Sequence, residues 1–249
     1  MVQAILLLIC ALSLLPARAE TPFETNVDSR VEVGVRVPQA ELQRWLPAPW
    51  EVSPVPEGPL KNANLVLSFV DRLHGQDAEG KPTGSARRVV LSVPARNAAT
   101  GELAPLVIRT FEGDPKTVPP GTYKNDIPAT VRREQTLKGA GVEPGSGSEA
   151  WEARDGAGGA IELRLQYQRG ALRRVKSESR PRSAVDPGFF RIYRIDQGVD
   201  IVKSAGLGID RASYQLRVTA PELRKLFDGT EEVVFISVVP WYLRQVSFP

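Results

Sequence analysis

Apolar and polar residues alternate along most of this chain with the two-residue period that is typical of a half-buried β-strand. The clearest run covers residues 30–37, in which every second position is valine. Similar runs occur at residues 65–70, 88–93, 106–110, 160–166, 189–195, 213–218 and 232–239. Gly, Pro, Asn or Asp separates nearly all of these runs, as expected for turns. The pattern therefore predicts a chain built mainly of short strands.

Only two short helices are predicted. Residues 38–46 and 221–227 both begin with a proline, which suits the first turn of a helix, and both place apolar residues on one face. Many short strands with little helix favour an all-β architecture that is closed or nearly closed. A glycine-rich segment at residues 139–147 reads as a flexible loop, and we expect one domain over residues 20–249.

The amino end has the features of an export signal. Residues 4–15 form an apolar run that is short for a membrane span, and Pro16-Ala17-Arg18-Ala19 resembles a signal-peptidase site. The sequence therefore predicts a signal peptide over residues 1–19 and a periplasmic or secreted mature chain. The alternative is an uncleaved membrane anchor, because no Lys or Arg precedes the apolar run.

Composition excludes several classes of site. Among 249 residues there are one Cys and one His, which rules out a Cys/His zinc cluster, a multi-histidine metal centre and a disulfide framework. We expect no metal and no cofactor, and a net charge of +3 does not predict nucleic-acid binding. A basic run at residues 169–182 reads as a solvated hairpin; the alternative is a surface that meets anionic membranes.

With one Cys and one His in the chain, lysine is the candidate nucleophile that remains. An amine attacks a carbonyl only when it is neutral, and both burial and a nearby cation favour the neutral form. Lys124 follows Tyr123 and precedes the strand-like residues 129–134, so it could point into the interior of a barrel. The alternative is a lysine in a surface turn.

The order of these elements resembles the acetoacetate decarboxylase superfamily. The resemblance runs roughly from Val31 to Tyr242 and is a pattern of order and spacing. It uses a helix ending in Leu46-Pro47, the strands at 65–71 and 88–95, and the segment at 103–107. Residues 121–125 are placed on the family's Gly-Phe-Pro-Lys-Lys segment, which holds its Schiff-base lysine. The resemblance implies an antiparallel β-barrel or cone, an oligomer, and Lys124 as the catalytic amine.

Two departures from the family pattern bear on the chemistry. Asn125 stands where the family has its second lysine, and Arg87 stands where it has a pocket glutamate. We expect Arg87 or Arg132 to replace that second lysine as the cation near Lys124 and to hold a substrate carboxylate, and Tyr123 to form a wall of the pocket. The expected function is Schiff-base decarboxylase or lyase chemistry on a small oxo acid. The alternatives are a non-catalytic barrel that binds a small organic acid or an apolar molecule, and an envelope protein that acts through its basic run.

Overall fold

In the computed structural model, residues 20–113 and 121–249 are described, and their strands form one continuous mixed sheet. The strands are β1 (Thr21–Arg36), β2 (Trp50–Val52), β3 (Leu65–Asp77), β4 (Ala86–Asn97), β5 (Leu103–Glu112), β6 (Asp126–Lys138), β7 (Ser146–Asp155), β8 (Ala160–Gln168), β9 (Arg173–Ser179), β10 (Arg182–Ser183), β11 (Asp186–Phe190), β12 (Ile192–Ser204), β13 (Ile209–Asp210), β14 (Ala212–Val218) and β15 (Glu232–Phe248). The predicted all-β class is confirmed.

The strand order along the sheet is β13-β12-β15-β1-β3-β4-β5-β6-β7-β8-β14. Its pairs are antiparallel except that β5 pairs in parallel with β6 and with β10. The two ends of this order are consecutive in the chain, because only Arg211 separates β13 from β14. The Arg211 guanidinium donates to Asp200 of β12 at 2.7 Å and to the Gln168 carbonyl of β8 at 3.0 Å. The sheet therefore curls round on itself, as the predicted barrel or cone requires.

Helix is scarcer than the sequence suggests. The first predicted helix is a five-residue helix, α1 (Gln39–Gln43), and the second is a 3₁₀ turn at Pro221–Leu223. A further 3₁₀ turn covers Ala205–Leu207. Segments this short gain little from helix propagation, so tertiary packing decides their conformation. Leu42 and Leu223 are fully buried, which anchors each segment on the sheet.

Both faces of the central strand β1 are buried. Its odd-numbered valines, at positions 31, 33 and 35, pack into the main hydrophobic core with residues of β3, β4 and β15. Its even-numbered positions from 24 to 30 carry polar or charged side chains, and these are buried as well. A strand with both faces covered usually carries apolar residues on both. The polar face therefore marks an interior with a chemistry of its own.

The predicted signal peptide, residues 1–19, lies outside the described residues, so its prediction stays a prediction. In the part of the chain that the structure does describe, no helix has the length and apolarity needed to cross a bilayer.

Candidate functional site

A cavity of about 40 Å³ lies on the polar face of β1, β3 and β4. It follows from strand geometry, because alternate residues of each strand point to the same face and paired strands align them in rows. One such row contains Arg30, Val70 and Arg88, since Arg30 pairs with Val70 and Val70 pairs with Arg88. The residues that line the cavity are Asp28, Arg30, Ser68, Val70, Arg72, Arg88, Val90, Tyr123 and Arg244.

Four arginines line this cavity against a single carboxylate, that of Asp28. Arg30 forms ion pairs with Asp28 and, at 3.3 Å, with Glu32. Its guanidinium also lies 3.4 Å from the ring centroid of Tyr242. A buried guanidinium needs such partners because its transfer from water is costly. Arg30 is therefore fixed in place before any ligand arrives.

Two further arginines of the cavity are each paired with a carboxylate of a neighbouring strand. Arg72 forms an ion pair with Glu24 of β1. The Nε atom of Arg88 lies 2.8 Å from Oε2 of Glu112, on β5. All four side chains are buried, so water screens these pairs weakly.

Arg244 differs from the other three arginines. Its guanidinium donates to Oδ1 of Asn26 at 3.0 and 3.2 Å and lies 4.5 Å from the ring centroid of Tyr193. Among the described residues, no carboxylate forms an ion pair with Arg244. Because Arg244 is buried, its charge is balanced by neutral dipoles and aromatic rings and by more distant carboxylates. The cavity therefore carries a local excess of positive charge.

Two buried tyrosines respond to this charge in opposite directions. Burial by itself would raise the pKa of the Tyr123 phenol, but Arg244, Arg88 and a hydrogen bond from Tyr193 outweigh it and lower that pKa. Burial, together with the adjacent Tyr123, raises the pKa of Tyr193, which is the donor of that hydrogen bond. An anionic oxygen is thus favoured at one position in the cavity, that of the Tyr123 hydroxyl.

Several buried polar atoms of the cavity wall have no hydrogen-bond partner among the described residues. They are Oδ1 of Asp28, Nε of Arg30 and Nε of Arg72. An unsatisfied buried polar atom costs about 1–3 kcal/mol, and such atoms are uncommon in proteins. Two of the three are donors, which fits an anionic ligand.

Of the four site residues predicted from sequence, the structure places Tyr123 in the cavity and the other three outside it. The Lys124 side chain is 48% exposed and forms an ion pair with Asp186. The expectation that Lys124 points inward is therefore corrected: it follows a turn at residues 121–123, ahead of β6, and its amine pairs with Asp186 at the surface. Its catalytic role stays a prediction, without the burial that the imine hypothesis requires.

Arg87 and Arg132 also lie away from the cavity. The Arg87 side chain is 48% exposed, and its Nε lies 3.1 Å from Oδ1 of Asp71. Arg87 follows the two-residue rule, because its neighbour Arg88 occupies the inward face of β4. Arg132 is exposed on β6 and lines an outer cleft of about 480 Å³ with Glu152 and Arg154. The expected grouping of these two arginines around Lys124 is not found.

No lysine among the described residues is buried. Lys116 lies outside the described residues, and in sequence it ends Gly113-Asp114-Pro115-Lys116. This segment matches the Gly, Pro and Lys positions of the family's Gly-Phe-Pro-Lys-Lys segment, whereas residues 121–124 match it only at Gly and Lys. Residues 113–116 are thus a second candidate position for the family's lysine segment, and the placement on Lys124 stays a prediction.

The basic run contributes β9, an edge strand that pairs with β12 alone among the described strands. Nearly all of its residues are exposed, and Arg174 forms a 2.5 Å ion pair with Asp196. The run is solvated, as expected from sequence, but it forms a single edge strand and not a hairpin, because β10 and β11 separate it from its partner β12 in the chain. Binding to an anionic membrane stays a prediction.

Comparison with solved structures finds the same architecture in three enzymes. An acetoacetate decarboxylase-like enzyme from Sphingomonas wittichii RW1 matches with a TM-score of 0.58 and 10% identity, over 92% of this chain and 93% of that one. Acetoacetate decarboxylase from Legionella pneumophila matches with a TM-score of 0.55 and 12% identity, over 92% and 86%. The enduracididine biosynthesis enzyme MppR, complexed with pyruvate, matches with a TM-score of 0.55 and 10% identity, over 94% and 91%.

No protein-family model matches the chain, and no curated protein sequence matches it. The similarity is therefore one of structure, extending over nearly the whole length of each pair. The chain has the acetoacetate-decarboxylase-like fold.

Proposed function

We propose that this chain is an exported protein that binds a small organic acid, with the acid's carboxylate held by the interior arginines. The observation that carries the proposal is the buried Arg244, which has no carboxylate partner among the described residues. A ligand carboxylate would supply that partner and could accept hydrogen bonds from the cavity-facing guanidinium groups. The cavity is also large enough for a carboxylate group. About 10–15 Å³ of cavity volume holds one water, so 40 Å³ holds about three.

The arginines favour binding over decarboxylation. Loss of CO₂ removes the negative charge from the carboxylate, so cations that contact it stabilise the substrate more than the transition state. Chemistry that keeps the carboxylate intact, such as aldol addition or dehydration at a neighbouring keto carbon, suits the cavity better. The MppR structure complexed with pyruvate shows an oxo acid bound to a protein of this fold.

The binding test uses Arg244→Gln, with Arg194→Gln as the matched control. Glutamine leaves no buried carboxylate unpaired, because Arg244 contacts the neutral Asn26. Arg194 is on the surface and pairs with Glu20. Calorimetric titration with pyruvate, acetoacetate and butyrate should show binding to the wild type and to R194Q, and at least a tenfold loss in R244Q. Equal affinity in all three proteins would overturn the proposal, as would the absence of binding to each acid.

A second proposal is Schiff-base chemistry with an oxo acid. The lysine amine adds to the keto carbon and water is released; the resulting iminium then accepts an electron pair when a neighbouring bond breaks. The sequence match at Gly113-Asp114-Pro115-Lys116 favours Lys116 as the amine over Lys124. Borohydride reduction in the presence of pyruvate, followed by peptide mapping, should place the adduct on Lys116. An adduct on Lys124 would restore the first assignment, and no adduct would end the imine proposal without touching the binding proposal.

Export has its own test. If residues 1–19 are a signal peptide, mass spectrometry of the mature protein from its host should find a chain that begins at Glu20. Recovery of the intact chain in the membrane fraction would favour the uncleaved anchor.

A further inference from the structure

An apolar groove of about 410 Å³ opens beside the arginine cavity. Its walls include Val66 of β3, Pro94 of β4, and Leu103 and Ala104 of β5. Ser68 lines both the groove and the cavity. A volume of this size lies in the range of small-molecule sites, about 300–1,000 Å³, whereas the cavity alone is far below it. The two spaces together make a site with an apolar part and a cationic part.

The groove and the cavity lie along one face of the sheet. On β3, positions 66, 68, 70 and 72 lie on that face. Since β4 runs antiparallel to β3, its positions on the same face follow in the reverse order, 94, 92, 90 and 88. Both strands therefore change in the same direction, from Val66 and Pro94 at the groove end to Arg72 and Arg88 at the cavity end. A molecule lying along this face would meet apolar walls at one end and guanidinium groups at the other.

Glu32 stands at the junction of the two spaces. Its carboxylate accepts a 2.6 Å hydrogen bond from the Ser68 hydroxyl and a 3.3 Å hydrogen bond from Arg30. Arg30 lies two residues further along β1, or about 7 Å at 3.4 Å per residue. A carboxylate that enters from the groove can therefore replace Glu32 as the partner of Arg30 after a short advance past Ser68.

From this arrangement we infer that the ligand is a monocarboxylic acid with an apolar tail, its head on the arginines and its tail in the groove. The inference rests on the proposed function, because it uses the same arginines for the head. Charge complementarity selects an acid over an amine or an alcohol. The groove selects a tail, because a two- or three-carbon acid would leave its apolar walls uncovered.

The test is a calorimetric series of butyrate, hexanoate, octanoate and decanoate. Each methylene buried in the groove should tighten binding about fourfold, which corresponds to about 0.8 kcal/mol. The groove variant is Leu103→Asp, since Leu103 is 72% exposed and tolerates a charge without a buried-charge penalty to folding. Leu137→Asp is the matched control, an exposed leucine at the opposite end of β6 from residues 126–128, which pair with β5. L103D should weaken decanoate binding at least tenfold and leave butyrate unchanged, and L137D should change neither.

The outcomes separate this inference from the proposed function. If affinity is equal along the series and butyrate binding still depends on Arg244, the inference of a tail in the groove is wrong and the proposed acid site is retained. A chain-length gain that L103D does not reduce also overturns the inference, because the tail then lies outside this groove. Decanol binding as tightly as decanoate overturns the arginine head site, and with it the proposed function. Glu32→Gln should tighten octanoate binding, since it removes the charge that competes for Arg30; weaker binding in E32Q contradicts the exchange at the junction.

Discussion

The buried pair between Arg72 and Glu24 gives a sharp test of how the interior charges are held. We expect Arg72→Met to lower the free energy of unfolding by about 3 kcal/mol. Removing one partner of a buried ion pair typically costs about 3–5 kcal/mol, because the other charge is left in the interior. The lower end applies here, since Glu24 keeps hydrogen bonds from Asn26 and Thr83, both at 2.9 Å.

The assay is equilibrium unfolding in urea, where a slope of about 3 kcal/mol per M would turn this loss into a midpoint shift of about 1 M. The control is Arg36→Met, which breaks the pair with Glu232 at the surface, where the side chains are 59% and 52% exposed. An exposed pair contributes about 0–1 kcal/mol, so the control should barely move the midpoint. Adding Glu24→Gln to Arg72→Met should recover part of the loss. The reasoning is refuted if R72M and R36M shift the midpoint equally.

Two further predictions concern the cavity wall. Because the pKa of Tyr123 is lowered, its phenolate should form below the usual tyrosine range of about pH 10. In a titration followed by phenolate absorbance, this early step should be lost in Y123F and should move to higher pH in Y193F. An unchanged titration in both variants contradicts the assignment. The Tyr123 phenolate should add to the free energy of unfolding above about pH 10, and this contribution should be lost as the pH falls through the folded-state pKa of Tyr123. Urea unfolding of Y123F should not show this pH dependence. Gly75→Ala should destabilise the fold by about 1–3 kcal/mol, because a Cβ there would lie 1.8 Å from Nη2 of the buried Arg72. If the midpoint of thermal unfolding is unchanged, Arg72 can move aside.

The sequence predicts the strands of this fold well where one face is apolar. The runs at 30–37, 65–70, 88–93 and 106–110 fall within or largely within β1, β3, β4 and β5, because valine and leucine at every second position leave few other solutions. The glycine-rich loop predicted at residues 139–147 lies between β6 and β7, apart from its last two residues, which belong to β7. Because β6 and β7 are antiparallel neighbours, the loop turns a hairpin.

The site could not be predicted in the same way. Alternation shows that Asp28 and Arg30 share a face of β1, but it does not show whether that face meets water or an enclosed interior. A polar face normally indicates solvent, and nothing in the local sequence marks these two residues as buried. The distinction depends on contacts between distant parts of the chain: pairing of β15 with β1 sets Arg244 beside Asn26, and Tyr123 reaches the same cavity from a turn. Such long-range contacts leave no local signal.

The outer edge of β9 has a consequence for how copies of this chain meet one another. An unpaired strand edge offers free backbone donors and acceptors that can recruit another strand and start aggregation. Here Arg173, Arg174 and Lys176 are exposed on β9, and although Asp196 of β12 lies near the last two, two copies approaching edge to edge would bring these cations together. We expect this repulsion to oppose edge-to-edge association, and salt or neutralising substitutions should weaken it.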